Sequence, residues 1–233
     1  MLEAVVFDFD GVIADSEPLH LAAFRRALEP RAIAVSDADY YDRYVGFDDR
    51  DGFRAILADR SVAADDATIE ALCRAKARAF AELAAAESEP FAGVRELVVG
   101  LAAAPPVPLA IASGALHVEV DTLLVRFGLD GFFEAVIAAD DVAASKPDPE
   151  SYRAALAALA RRHGPLDPAR CVAIEDTPTG LAAARAAGMR TLAVETTHAA
   201  SALEADSVVA TLAAVDRAQF EDLVAAGGGE EGG

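Results

Sequence analysis

The chain has no tryptophan, two cysteines, two methionines and only two lysines, Lys76 and Lys146. Each shortage excludes something. Cys73 and Cys171 are too few and too far apart in sequence for a disulfide scaffold or a cysteine metal site. They are expected as buried thiols in a reducing compartment. Charge, proline or glycine cuts every apolar stretch before it reaches the roughly 20 residues that a membrane span needs. No basic segment followed by an apolar run opens the chain, so no secretory signal is read and a cytoplasmic location is expected. Positive charge is also short: 20 Lys and Arg stand against 39 Asp and Glu, a formal net charge of −19. A surface of that sign repels nucleic acid and anionic membranes, so neither is expected as a partner. An anionic ligand would need a few local cations or a metal.

What is present describes a globular protein. The 233 residues are 54% hydrophobic, enough to bury a core and too apolar for disorder. The length suits one domain with a small extra module. Short apolar runs at 3–9, 109–112, 135–138, 171–174, 191–194 and 208–210 read as buried strands. Helix-length segments near 94–104, 116–127, 149–163, 178–187 and 216–226 separate them. That alternation predicts a parallel sheet covered on both faces. Residues 17–87 interrupt it with helical patterns only. Local signals mark helix starts: Ser16 before Pro18, Asp65 before the pattern from Ile69, Asp148 before Pro149, and Thr177 before Pro178.

Four segments carry chemistry, each at the end of a predicted strand, where open α/β sheets bind ligands. Phe7-Asp8-Phe9-Asp10-Gly11 puts two carboxylates two residues apart, on one face of the strand. On their own they read equally well as a strand-end turn. Ala112-Ser113-Gly114 offers a hydroxyl and backbone N–H groups at a helix start, which suits a phosphate oxygen or a plain cap. Ser145-Lys146-Pro147-Asp148-Pro149 holds one of the two lysines between prolines. Ile174-Glu175-Asp176-Thr177-Pro178 adds two more carboxylates. Carboxylates gathered at one edge repel one another unless a cation joins them, and Mg2+ prefers such hard oxygen ligands beside phosphate.

In this order the four segments resemble the haloacid dehalogenase-like superfamily of phosphotransferases. The resemblance is to the subfamily with a helical cap after the first strand, home of the β-phosphoglucomutase-like and phosphoglycolate phosphatase-like enzymes. It covers residues 2–215. It implies an α/β fold, a three-layer Rossmann-like parallel-sheet core of residues 1–15 plus 92–226, with an inserted all-helical cap at 16–91. Residues 227–233 read as a disordered tail. The resemblance makes Asp8 the nucleophile and Asp10 the general acid and base. Ser113 and Lys146, with Gly114, would hold the phosphoryl group. Mg2+ would be held by the Asp8 side chain, the Asp10 main-chain carbonyl and Asp176, with Glu175 as ligand or supporting group. An aspartate at position 10 fits an alcohol or sugar leaving group, which needs a proton, better than a halide.

His20, the loop with Gly46 and Arg50, and Lys76 are the substrate-binding candidates in the cap. His20 reads equally as a packing residue at the hinge, and Lys76 as part of a solvated basic helix face. His117, His163 and His198 are left as surface or loop residues. In the mutases an arginine three places after the loop glycine grips a second phosphate; here that place is Asp49. The lysine that follows the motif serine in mutases is also missing. The expected function is therefore Mg2+-dependent hydrolysis of a small phosphorylated metabolite, a sugar phosphate or a phosphoglycolate-like acid, by a monomer. A hexose-phosphate mutase is the alternative. A non-catalytic binding protein on the same fold comes third, because Asp8, Asp10, Lys146 and Asp176 are all present.

Overall fold

The computed structural model describes residues 1–45, 47 and 49–227. Gly46, named above, and residues 228–233 of the expected tail lie outside the described residues. The chain divides into two compact units, Ser16–Ser88 and Met1–Asp15 with Glu89–Gly233. No helix among the described residues is long and apolar enough to cross a membrane.

The shorter unit is helical: α1 (Glu17–Leu28), α2 (Asp37–Arg43), α3 (Asp49–Asp59) and α4 (Asp66–Glu87). Its apolar residues recur at helical spacing and meet in one core. Leu21, Phe24 and Leu28 come from α1, Phe53, Ile56 and Leu57 from α3, and Ile69 and Leu72 from α4. Full burial of each is worth about 1.5–3 kcal/mol. Ser36 caps α2 by accepting from Asp39 N at 3.0 Å, and Asp65 caps α4 by accepting from Thr68 N at 2.9 Å. Ser16, expected as a cap, makes no capping bond; its backbone is already helical (φ −91°, ψ −19°), whereas a capping side chain needs an extended residue. Pro18 does fall in the first turn.

The longer unit is an α/β sandwich. Its strands are β1 (Ala4–Phe7), β2 (Leu109–Ala112), β3 (Ala135–Ile137), β4 (Cys171–Glu175), β5 (Arg190–Val194) and β6 (Ser207–Val209). Its helices are α5 (Val94–Ala102), α6 (His117–Phe127), α7 (Glu150–His163), α8 (Pro178–Ala186) and α9 (Arg217–Gly227). All strand pairs are parallel, in the order β3-β2-β1-β4-β5-β6. One face of β1, β2 and β4 is built of small residues: Ala4, Val6, Ala110, Ala112, Cys171 and Ala173. They let α7 approach with Tyr152, Ala155, Leu156 and Leu159, and α8 with Ala183 and Ala184. Cys171 is buried, and its burial pushes the thiol up to about 12; Cys73 is only partly buried.

Strand order puts the site where it is. β1 lies between β2 and β4, so chain connections leave it in opposite directions and open a crevice at its carboxyl end. Phe7 is in register with both Ile111 and Ile174, so the strands end together.

Candidate active site

β1 stops at Phe7, two residues earlier than its apolar pattern suggests, because the chain folds back at once. The Phe9 carbonyl accepts from the backbone N–H groups of Ile13 and Ala14, at 2.8 and 3.0 Å. Asp8 still donates its N–H to Ile174 O at 2.9 Å, which ties it to β4. Gly11 has φ +77°, and a Cβ there would sit 1.9 Å from Asp176 Oδ2. Glycine is needed at this place twice over, for the backbone and for the approach of Asp176.

At the end of β4, Glu175 is fully buried and Asp176 nearly so. Thr177 caps α8, accepting from Gly180 N at 3.1 Å. Lys146 donates to Asp8 Oδ1 at 2.8 Å and to Glu175 Oε1 at 2.6 Å. Among the described residues, Asp8, Glu175 and Asp176 bring carboxylate oxygens within 4.8 Å of one another. Ser113, buried at the end of β2, accepts from Ala115 N at 2.9 Å, a bond that leaves its O–H as a donor. Gly114 is exposed, and a Cβ there would meet nothing within 4 Å.

The electrostatics follow from crowding. Burial lifts the Asp8 carboxyl well above the carboxylate range; Glu175 adds to this, Lys146 opposes it, and Asp176 and Asp10 add more. Asp176 is lifted to about 6, by burial first and then by Glu175, against the Thr197 hydrogen bond and the Lys146 and His198 charges. Burial pulls the Lys146 ammonium down, but Asp8 and Glu175 outweigh it and the group is held above its ordinary value. Three carboxylates face one ammonium, a surplus of two negative charges when all are ionised. One carboxylate oxygen, Asp176 Oδ1, is buried without a hydrogen-bond partner. Such an atom needs an explanation, and a hard divalent cation provides one. The residues present therefore fit Mg2+.

Of the other candidates, His20, Arg50 and Lys76 belong to the helical unit. His20 and Lys76 meet inside the helical unit. Lys76 is 1% exposed; its Nζ lies 2.7 Å from His20 Nδ1 and 2.8 Å from Asp49 Oδ1, with the Phe24 and Phe80 rings within 5.6 Å. Lys76 is thus not part of a solvated face. Burial, then the Lys76 charge, pulls the His20 imidazole down to about 3 against Asp49, so the ring is neutral and its Nδ1 accepts from the ammonium. Arg50 pairs with Glu70 at 3.2 Å on the surface and does not join this group. His117 and His163 pair with Asp141 and Glu134 at 2.6 and 2.8 Å.

Sequence reading missed two contributors. Tyr152, buried on α7, donates to Glu175 Oε1 at 2.7 Å. The loop after β5 supplies Thr196, which donates to Gly11 O at 2.5 Å, and His198, whose Nδ1 is 3.2 Å from Asp176 O. The signal for the loop was available: Thr196-Thr197-His198 is a polar run at a strand end, like the four segments that were read.

Residues 5–194 match the model of a family described as haloacid dehalogenase-like hydrolases. The chain belongs to that family. It falls in the branch of the β-phosphoglucomutase-like and phosphatase enzymes, as a phosphoric monoester hydrolase. It is 33% identical to protein CbbY of Rhodobacter capsulatus over 195 residues, 81% of this chain and 83% of that one. It is 31% identical to a phosphorylated carbohydrates phosphatase of Thermotoga maritima over 189 residues, 81% of this chain and 82% of the other. A crystal structure of CbbY from Rhodobacter sphaeroides in complex with phosphate superposes with a TM-score of 0.83, at 27% identity, over 95% of this chain and 100% of that one. A second structure of that protein holds xylulose-(1,5)bisphosphate, with a TM-score of 0.80, at 26% identity, over 92% of this chain and 96% of that one.

Proposed function

We propose that the protein is a Mg2+-dependent phosphatase of small phosphorylated sugars that works through a phosphoryl group carried on Asp8. One observation carries this reading: Lys146 bridges Asp8 and Glu175 while the buried Asp176 Oδ1 has no hydrogen-bond partner. The kinship with sugar-phosphate phosphatases supports the substrate class.

In the first step an Asp8 carboxylate oxygen attacks phosphorus, and the bond from phosphorus to the sugar oxygen breaks. Asp10 gives its proton to that leaving oxygen. In the second step water attacks phosphorus, returns a proton to Asp10, and the bond to Asp8 breaks to release phosphate. Ser113 and Lys146 hold the phosphoryl oxygens throughout. Mg2+, held by Asp8, Asp176 and the Asp10 carbonyl with Glu175 as ligand or support, would add positive charge opposite those oxygens.

A mutase would need cations for a second phosphate. Asp49 is ion-paired with Lys76, and no lysine follows Ser113, so hydrolysis is the better supported reading. Phosphate release from a panel of sugar monophosphates, ketose bisphosphates and phosphoglycolate, with and without Mg2+, tests the proposal. Mg2+-dependent release from a sugar phosphate is expected. Isomerised hexose phosphate without net phosphate release would point to the mutase instead.

A further inference from the structure

The geometry points to Tyr152 as a positioning residue that keeps Lys146 on Asp8 by taking a share of Glu175. The kinetic part of this inference rests on the phosphatase reading; the structural part does not.

Glu175 has little freedom. Its Oε2 accepts from Asp176 N at 3.2 Å and from Thr177 Oγ1 at 3.1 Å. Its carboxylate also lies where a Cβ on residue 180 would be, 1.9 Å from Oε1, so only Gly180 leaves room for it. That leaves Oε1 as the oxygen that faces Lys146, and two donors divide it. The Lys146 ammonium is at 2.6 Å and the Tyr152 hydroxyl at 2.7 Å. The same ammonium stands 5.1 Å from the Tyr152 ring centroid and 2.8 Å from Asp8 Oδ1. Tyr152 therefore touches both halves of the ion pair.

The consequence is a balance between two carboxylates. A neutral phenol on Oε1 uses part of that oxygen's capacity as an acceptor. The ammonium is then not committed to Glu175 and keeps its bond to Asp8. Without the hydroxyl, all of Oε1 falls to Lys146, which is drawn toward Glu175 and away from the Asp8 carboxylate. Packing alone does not call for this hydroxyl. Tyr152 lies in a cluster of alanine, valine and leucine side chains, where phenylalanine would fill the same space.

The test is Tyr152→Phe, with Ser151→Ala as control. Ser151 is the buried neighbour in the same helical turn, and its hydroxyl has no hydrogen-bond partner. A crystal structure of Tyr152→Phe is expected to keep the Lys146–Glu175 bond while Lys146 moves beyond about 3.5 Å from Asp8, past hydrogen-bond range. In steady-state assays kcat is expected to fall about tenfold or more. KM should change less than about twofold, because the loss is one of arrangement in the transition state. Ser151→Ala should behave like the unaltered protein. An unmoved Lys146 in Tyr152→Phe, an unchanged kcat, or an equal loss in Ser151→Ala would each overturn the inference. So would a Tyr152→Phe chain that does not fold, since the hydroxyl would then be structural. If the unaltered protein releases no phosphate from any substrate, the functional reading fails, and the crystal structure still decides on Tyr152.

Discussion

In the α/β unit Lys146 faces Asp8 and Glu175, with Asp176 in the same cluster: three carboxylates to one ammonium. In the helical unit Lys76, among the described residues, pairs with the Asp49 carboxylate and the neutral His20 imidazole. Both lysines also lie over aromatic rings. The difference is in the charge left over. Among the described residues the helical cluster balances one ammonium against one carboxylate. The α/β cluster has an excess of negative charge and an unpartnered oxygen, and a bound cation would relieve both. A polar cluster that is incomplete by itself marks a binding site better than burial or pairing does.

The widest separation of the two should come from removing the nucleophile. Asp8→Asn is expected to cut turnover by about a thousandfold or more, and Asp10→Asn by about 10²–10⁴. Phosphate release at saturating Mg2+ measures both, and Asp8→Asn should leave the helical unit's stability untouched. Near-normal turnover in Asp8→Asn would remove the catalytic half of the comparison.

Next comes the helical cluster. Lys76→Met strands Asp49 without its cation and should destabilise by about 2–5 kcal/mol in denaturant unfolding. The double variant Lys76→Met with Asp49→Leu should recover most of that, because the unpaired charge is gone. If the double variant is no better than the single, the Lys76–Asp49 pair is not what stabilises the cluster.

Acid should act on the two units in opposite directions. His20 has a folded value near 3, below its ordinary 6.5. Its unfolded form takes up a proton first, so the helical unit loses stability as pH falls from 6.5 toward 3, by at most about 1.4 kcal/mol per pH unit. Asp176 has a folded value near 6, above its ordinary 3.8. Without metal its contribution is greatest below 3.8 and is lost as pH rises through 6. Amide hydrogen exchange of the metal-free protein at pH 7 and pH 5 should show α4 less protected, and α8 more protected, at the lower pH. Changes of the same sign in both helices would contradict the comparison.

The smallest effects concern the caps. Ser36→Ala and Thr177→Ala should each cost about 1 kcal/mol. Only Thr177→Ala should also reduce activity, because its hydroxyl reaches Glu175 as well. Thermal unfolding and a phosphatase assay on the same samples separate the two.

The sheet was legible because its strands are short and apolar, and carboxylates stand at the ends of β1 and β4. Asp8, Glu175 and Asp176 were legible as strand-end residues, and the register of β1 with β4 explains why they meet. Lys146 was legible by its rarity and its proline neighbour; the structure puts it in the loop between β3 and α7 and not at the strand end that was expected. Other features depend on packing between distant parts of the chain. Lys76 looked like a solvated helix residue because its partner Asp49 lies on another helix. Tyr152 gave no signal, because it stands within the apolar stripe of α7. Ser16 had the right residue type for a cap and the wrong backbone, which a sequence does not display.

The burial of both lysines has a consequence for protein chemistry. Every other side-chain cation in the chain is an arginine, which has no primary amine. Lys76 is 1% exposed, and the Lys146 side chain 14% and held by two carboxylates. An amine-directed label, cross-linker or surface coupling should therefore find no reactive side-chain amine on these folded residues.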